Sequence, residues 1–446
     1  MKKILALFLG LVTLLSMVAC SGGTAPATTE ENKTEDVITE EEKKTEEKKT
    51  EEKKTEEKKE ENKNATPHPV SDPLTWDRIN AIPVANASMS VEQLRQICVD
   101  FFSLQVSFPW TPKTQANYEV DSQNHKVEYA VGSLHGGIPY VNLGSNNLYR
   151  VMDFYDSATG IYDVSMLEVN ETLAGNACSS SAGIAWGRVI NSASLSYTSG
   201  HTPKAGFLPL GPYKANLEIP TFGSSGNPDV KDILALNDTQ TMYESYALLK
   251  PADGIVSGGH VRMAKEPAVV VRNEDGSING KESYCLFVEQ GCYNSSNAHT
   301  RTQEDGASYQ IQGNDNAKFY FDELVKSYLP FTFAEFLGTD PVEPSTVTMS
   351  VTGENLSMKQ LLSAEVSSNY IILDAYCTIR DAEGNVVTTY AYRQPKHYLK
   401  SFKLSSAAPT PIIQKYAKET GYTIEFSAQL STGERPVFYK GALPTA

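Results

Sequence analysis

The chain has 446 residues, with 39 lysines and arginines against 54 aspartates and glutamates and a formal net charge of −15. That acidic balance excludes nucleic acid as an expected partner, because a polyphosphate is met by surplus positive charge. The cysteines and histidines show neither zinc-site spacing nor an i, i+4 His pair, so no metal and no cofactor is expected.

Lys2 and Lys3 precede an apolar run from Ile4 to Val18, broken only by Gly10, Thr13 and Ser16. The run is short for a membrane span and closes on small residues, as an export signal over residues 1–19 does. Met17-Val18-Ala19-Cys20 resembles a lipobox, with Met17 where leucine is usual. The resemblance implies that Cys20 is acylated and that the chain is extracytoplasmic, lipid-anchored to a bacterial membrane. Several acyl chains are what make such a hold stable. An ordinary signal peptide with an incidental cysteine is the alternative, and Ser21-Gly22-Gly23 favours the lipoprotein.

Residues 20–71 then form an acylated start and a spacer. Three Thr-Glu-Glu-Lys-Lys repeats run from Thr45 to Lys59, and Glu30–Lys63 holds 15 acidic and 10 basic residues. Such a segment buries too little apolar surface to offset its chain entropy, so disorder is expected. A charged docking tail is the competing reading.

The remainder is long enough for two domains, divided at Asp340–Pro344 into residues 72–338 and 339–446. Apolar spacing predicts a helix over Val91–Ser103, with Leu94, Ile97, Cys98, Phe101 and Phe102 on one face. Further helices are predicted over Asn146–Tyr155, from Cys178, and over Thr239–Leu249. Strands are predicted at Gly254–Ser257, His260–Ala264, Ala268–Arg272 and Tyr284–Glu289. Helices followed by a sheet indicate an α+β domain. Tyr328–Phe336 is aromatic enough for a substrate wall, although packing between domains is the simpler role. Beyond Gly338, strands at Ser345–Val351, Tyr370–Arg380, Val386–Arg393, Tyr422–Gln429 and Pro436–Tyr439, with a helix over Pro409–Gly421, describe a β-rich module.

Five cysteines follow Cys20, so at least one thiol of an exported chain is unpaired. Cys285 and Cys292 can bridge, but scattered buried thiols are the simpler expectation. Cys178 differs from the others. In Gly175-Asn176-Ala177-Cys178-Ser179-Ser180-Ser181 it sits where a loop enters a helix, and a helix N-terminus favours the thiolate. Taken alone, the segment reads equally well as a structural cysteine at a tightly packed helix start. Its serines do not fit Gly-x-Ser-x-Gly, so no serine hydrolase elbow is indicated.

Lys250-Pro251-Ala252-Asp253 leads into a strand, and Gly259-His260-Val261 opens the next. A cysteine at a helix start, Lys-Pro-x-Asp and Gly-His-Val in this order resemble the papain-like cysteine peptidases and amidases of the NlpC and CHAP type. Tyr284-Cys285-Leu286-Phe287-Val288-Glu289-Gln290 looks like the CHAP strand that ends in glutamate. Gly137-Ile138-Pro139-Tyr140 matches the family's Gly-x-Pro-Tyr. The likeness implies a papain-like α+β fold in which Cys178 is the nucleophile and His260 the base. Glu289 would orient the imidazole, with Gln290 as the second choice, and Tyr140 and Gln290 would meet substrate. Tyr140 lies farther from Cys178 than the family's spacing, implying an insertion around Asn142–Leu173, and Ala177 stands where the family has aspartate.

Such a site attacks a carbonyl with a thiolate and protonates the leaving amine from the imidazole. N–H groups at the helix start would hold the oxyanion. The expected function is therefore a surface-tethered cysteine hydrolase cleaving amide bonds. Cell-wall peptides or peptidoglycan fragments are the partners, besides the membrane held through the Cys20 lipid. A non-catalytic ligand-binding lipoprotein of the same fold and a Cys-His acyltransferase are the alternatives. His260 as a plain sheet histidine competes with its role as base. His135 can line the cleft or sit in a loop, and the other five histidines read as surface residues.

Overall fold

The computed structural model describes residues 67–119, 126–140, 146–163, 168–169, 172–173, 175–191, 207–215, 230–291, 299–394 and 399–444. The export segment, Cys20, the Glu/Lys spacer and Cys292 lie outside the described residues. Among those described, no helix is long and apolar enough to cross a membrane. The architecture is mixed α+β with several sheets.

Helix α1 (Val91–Ser107) starts at a reciprocal cap: the Ser90 hydroxyl accepts from the Gln93 N–H and the Gln93 side chain accepts from the Ser90 N–H. It runs one turn beyond Ser103 because Leu104, Gln105 and Val106 are buried as well. It stops at Phe108, the residue before Pro109, which a following proline keeps extended. Helix α2 (Cys178–Trp186) packs against α1 and has almost no solvent face. Ala182, Ile184, Ala185 and Trp186 are all fully buried.

Six antiparallel strands form the sheet behind these helices. They are β1 (Phe207–Pro209), β2 (Gly254–Val256), β3 (Val261–Ala264), β4 (Tyr284–Gln290), β5 (Gly313–Tyr320) and β6 (Leu329–Phe333), in the order β5-β4-β3-β2-β6-β1. Tyr328–Phe336 is thus in large part a sheet strand. All five residues of β6 are buried, and Phe331 and Phe333 pack against Trp186 of α2. Gly254 is required by that packing, since a Cβ there would lie 2.1 Å from the Phe331 ring.

The turn into β2 is fixed by Asp253. Its Oδ1 accepts from Arg95 Nη1 at 2.8 Å and from Thr332 Oγ1 at 2.5 Å, and its Oδ2 accepts from the Lys250 N–H at 2.8 Å. Ala252 is thereby held at φ 66°, a left-handed conformation that side chains resist, and its carbonyl accepts from the Trp186 indole at 2.8 Å.

Several elements differ from the sequence-based expectation. Only Leu148–Val151 of Asn146–Tyr155 is helical, and the expected helix over Thr239–Leu249 ends at Tyr246. Ala268–Arg272 is not a strand. Val269 and Arg272 make isolated bridges to Tyr284 and Ile278, with Pro267 breaking the run. A second, mixed sheet joins Pro109–Pro112, His135–Gly136, Tyr155–Asp156 and Ile161–Tyr162 to His299–Thr302 and Ser308–Ile311. Strands therefore precede α2 as well as follow it.

Residues beyond Gly338 form a four-stranded sheet (Val386–Arg393, Ile372–Arg380, Thr423–Leu430, Val437–Ala442) and a three-stranded one, around a separate hydrophobic core. Ile371 and Leu373 nevertheless belong to the first core, and Asp374 joins the two parts through a buried ion pair with Arg150 at 2.6 Å. Ser431 Oγ donates to the Gly187 carbonyl at 2.6 Å, directly behind α2.

Candidate active site

Cys178 is the first residue of α2. Ala177, at the cap position, has no polar side chain. Ser180 makes only the return contact of a cap, its hydroxyl accepting from the Ala177 N–H at 2.8 Å. Cys178 is 4% exposed. Burial alone would push its thiol pKa up. The charge and hydrogen bond of His260, with backbone N–H groups of Val261 and Ser179, outweigh burial and bring it below the ordinary value.

His260 directly precedes β3, at the tip of the β2–β3 hairpin. Ser257 shapes that tip: its N–H donates to the His260 carbonyl at 2.8 Å, and its hydroxyl accepts from the His260 N–H at 3.0 Å. The His260 Nε2 lies 2.6 Å from Glu289 Oε2, and Cys178 acts on the same ring through its charge and a hydrogen bond. The imidazole keeps 20% of its side-chain surface in contact with solvent, so the buried sulfur has a neighbour that opens outward. Burial and the Arg262 charge oppose protonation of this ring. The Cys178 thiolate and the hydrogen bonds to Cys178 and Glu289 overcome them, and its pKa rises. The two shifts are mutual, since the charged form of each group favours the charged form of the other.

Glu289 lies near the end of β4, opposite Asn314 of β5, and is fully buried. One extra residue of β5 is accommodated opposite Val288, a bulge of the kind that re-aims a neighbouring side chain. The carboxylate survives there because the same Oε2 also accepts from Arg262 Nε at 2.6 Å. Burial pushes its pKa up, but Arg262 and His260 more than compensate, and Glu289 stays ionised.

Gln290 is fully buried, with its amide engaged at both ends. Oε1 accepts from Ser181 Oγ at 3.1 Å, and Nε2 donates to the Ile138 carbonyl at 2.7 Å. It ties α2 to the Gly137–Tyr140 segment and presents no free polar atom to a ligand. Tyr140 is only 9% exposed; its backbone bridges to Asn176, two residues before Cys178. The Asn176 N–H donates to the Pro139 carbonyl at 2.9 Å. The structure thus brings Cys178, His260 and Glu289 together, and places Gln290 and Tyr140 in the wall that holds them.

The remaining candidates stand apart. Cys98, Cys285 and Cys377 are free and buried, with thiols raised by burial and no histidine among the causes that act on them. His135 lies in a strand between Trp110 and Tyr129, its pKa lowered by burial to about 4, neither in a loop nor among the groups acting on Cys178. No cluster of acidic, histidine or cysteine side chains among the described residues can hold a metal ion. Arg262 is a residue of the site to which the sequence reading gave no role. Its signal was present, since alternation along a strand puts residues 260 and 262 on one face. No family model, curated protein or solved structure matches the chain.

Proposed function

We propose that the chain is a cysteine hydrolase of papain-like fold that cleaves amide bonds, tethered outside a bacterial membrane through Cys20, with cell-wall peptides as its substrate class. The observation that supports this most is the relay Cys178–His260–Glu289, in which the imidazole is bonded to Glu289 and the thiol and imidazole act on each other, one pKa lowered and the other raised. A structural cysteine needs no such partner, and the other three described free thiols have none. In the proposed reaction the Cys178 thiolate attacks the amide carbonyl and forms a thioester while the scissile C–N bond breaks. The His260 proton goes to the leaving amine, and water, deprotonated by the same ring, then releases the acid. Backbone N–H groups at the head of α2 hold the oxyanion. The substrate class follows from the family resemblance and from the tether and spacer, which place the domain next to the wall.

Incubating the purified chain with peptidoglycan fragments and following new amino termini tests the reading. Wild type releases them; Cys178→Ala does not, and His260→Ala is slower by about 10²–10⁴-fold. Binding of fragments without release by wild type would replace the hydrolase with a binding protein. Transfer of the acyl group to an added amine in preference to water would make it an acyltransferase.

A further inference from the structure

We infer that Arg262 is a positioning residue of this site, clamping Glu289 so that its carboxylate stays ionised and aimed at His260. The inference rests on the cysteine-hydrolase reading and adds a fourth side chain to it. Arg262 is almost wholly buried, with 4% of its side chain exposed. Its guanidinium lies between two rings, 4.2 Å from the centre of Phe319 and 4.6 Å from that of Tyr328. Nε donates to Glu289 Oε2, and buried Nη1 meets no acceptor among the described residues. An arginine built only to stabilise the fold would use its fork of donors. This one is gripped by aromatic faces and directs one N–H at the oxygen that also takes the imidazole of His260.

The charged groups acting on the cluster are few. Cys178 comes from α2, His260 and Arg262 from the β3 edge of the hairpin, and Glu289 from β4; β5 and the segment before β6 contribute the faces of Phe319 and Tyr328. Arg262 therefore has two opposing effects. Its charge repels a proton from His260 directly, and it keeps the proton off Glu289, which favours the imidazolium. The shared oxygen decides between them: Arg262 touches the carboxylate, and it reaches the ring only through it.

Alkylation of Cys178 by iodoacetamide, followed by peptide mapping on the full chain, reads the thiolate without needing turnover. In Arg262→Met, whose thioether fills the space between the rings, the rate at pH 5 relative to that at pH 8 falls about tenfold against wild type, because Glu289 takes up a proton. Arg262→Lys, which retains the charge, recovers most of that ratio. A ratio unchanged in Arg262→Met, or a higher one as direct repulsion of His260 would give, overturns the inference. Should Arg262→Met fail to fold, Arg262→Met with Glu289→Gln removes both buried charges. Its profile then matches that of Glu289→Gln alone, and an approximately tenfold difference between the two refutes action through Glu289. Fast alkylation of wild-type Cys178 with no amide cleavage sinks the hydrolase reading and leaves this one standing. A profile indifferent to Arg262 does the reverse.

Discussion

Replacing Asp374 with alanine tests whether residues beyond Gly338 are part of the working unit. Asp374 is fully buried; its Oδ1 accepts from Arg150 Nη2 at 2.6 Å and its Oδ2 from Asn147 Nδ2 at 3.1 Å. The Arg150 side chain is itself only 7% exposed. Removing one partner of a buried pair leaves the other charge poorly solvated, which costs about 3–5 kcal/mol. Arg393 adds little, since it lies 3.4 Å from Asp374 with 27% of its side chain exposed, and exposed pairs contribute about 0–1 kcal/mol. At roughly 2–4 °C per kcal/mol for a domain of about 150–250 residues, Asp374→Ala lowers the melting temperature by about 10 °C. Calorimetry on the full chain measures it, with Asp153→Ala as the control. Asp153 pairs with Arg393 at a more open site, its side chain 35% exposed, and its loss shifts the transition by only a few degrees at most, about 1 kcal/mol. An Asp374→Ala protein that melts within about 2 °C of wild type would show that the buried pair contributes well under its expected 3–5 kcal/mol, and the case for a joined unit would fail.

Two further outcomes follow from the site. In the proposed hydrolysis the rate rises as pH climbs through the lowered Cys178 pKa and falls as His260 loses its proton near its raised value of about 10, whereas alkylation of Cys178 persists above that point because it needs only the thiolate; parallel pH profiles of turnover and alkylation that coincide on the alkaline side would remove His260 as the proton donor. Gly254→Ala drives a methyl group into the Phe331 ring and destabilises the fold by about 1–3 kcal/mol, read by urea unfolding, and an unchanged midpoint would mean that the sheet yields there at no cost.

Much of this was legible in the sequence where a pattern had one physical solution. The apolar stripe of α1 specified a helix, and the structure adds the Ser90–Gln93 cap at its start. The alternation Val261-Arg262-Met263 marked a strand, although His260, expected as its first residue, sits just ahead of it at the tip of the β2–β3 hairpin. Short strands were the blind spot. Pro109–Pro112 is a strand with prolines at both ends and every residue buried, so it shows neither alternation nor a run of β-branched side chains. His135–Gly136 is two residues long and is held by neighbours on both sides, Trp110 opposite His135 and Gln310 alongside it. Such strands exist because of tertiary pairing, and nothing local announces them.

The site shows the same division between local and distant causes. A cysteine at a helix start and a histidine after Gly-Gly are local features, and both were readable. The burial of Glu289 was not, because it depends on a cation two residues past His260 and on two rings contributed by later segments, Phe319 and Tyr328. A glutamate near a strand's end reads as an edge residue, since an unpaired carboxylate cannot be taken out of water. Once Arg262 neutralises it, the interior becomes the better place, because a dry carboxylate holds an imidazolium more firmly than a hydrated one. The same reasoning accounts for the buried Gln290. Its amide joins Ser181 of α2 to Ile138, so the residue next to the relay fixes the distance between the helix that carries the thiol and the strand that carries the carboxylate. With Ser431 bonded behind α2 at Gly187, the helix that carries Cys178 is braced at Ser181 and just past its end, by residues as far apart as 290 and 431. The Cys178–His260 pair is set by two neighbouring side chains, but its geometry depends on segments spread through the folded chain.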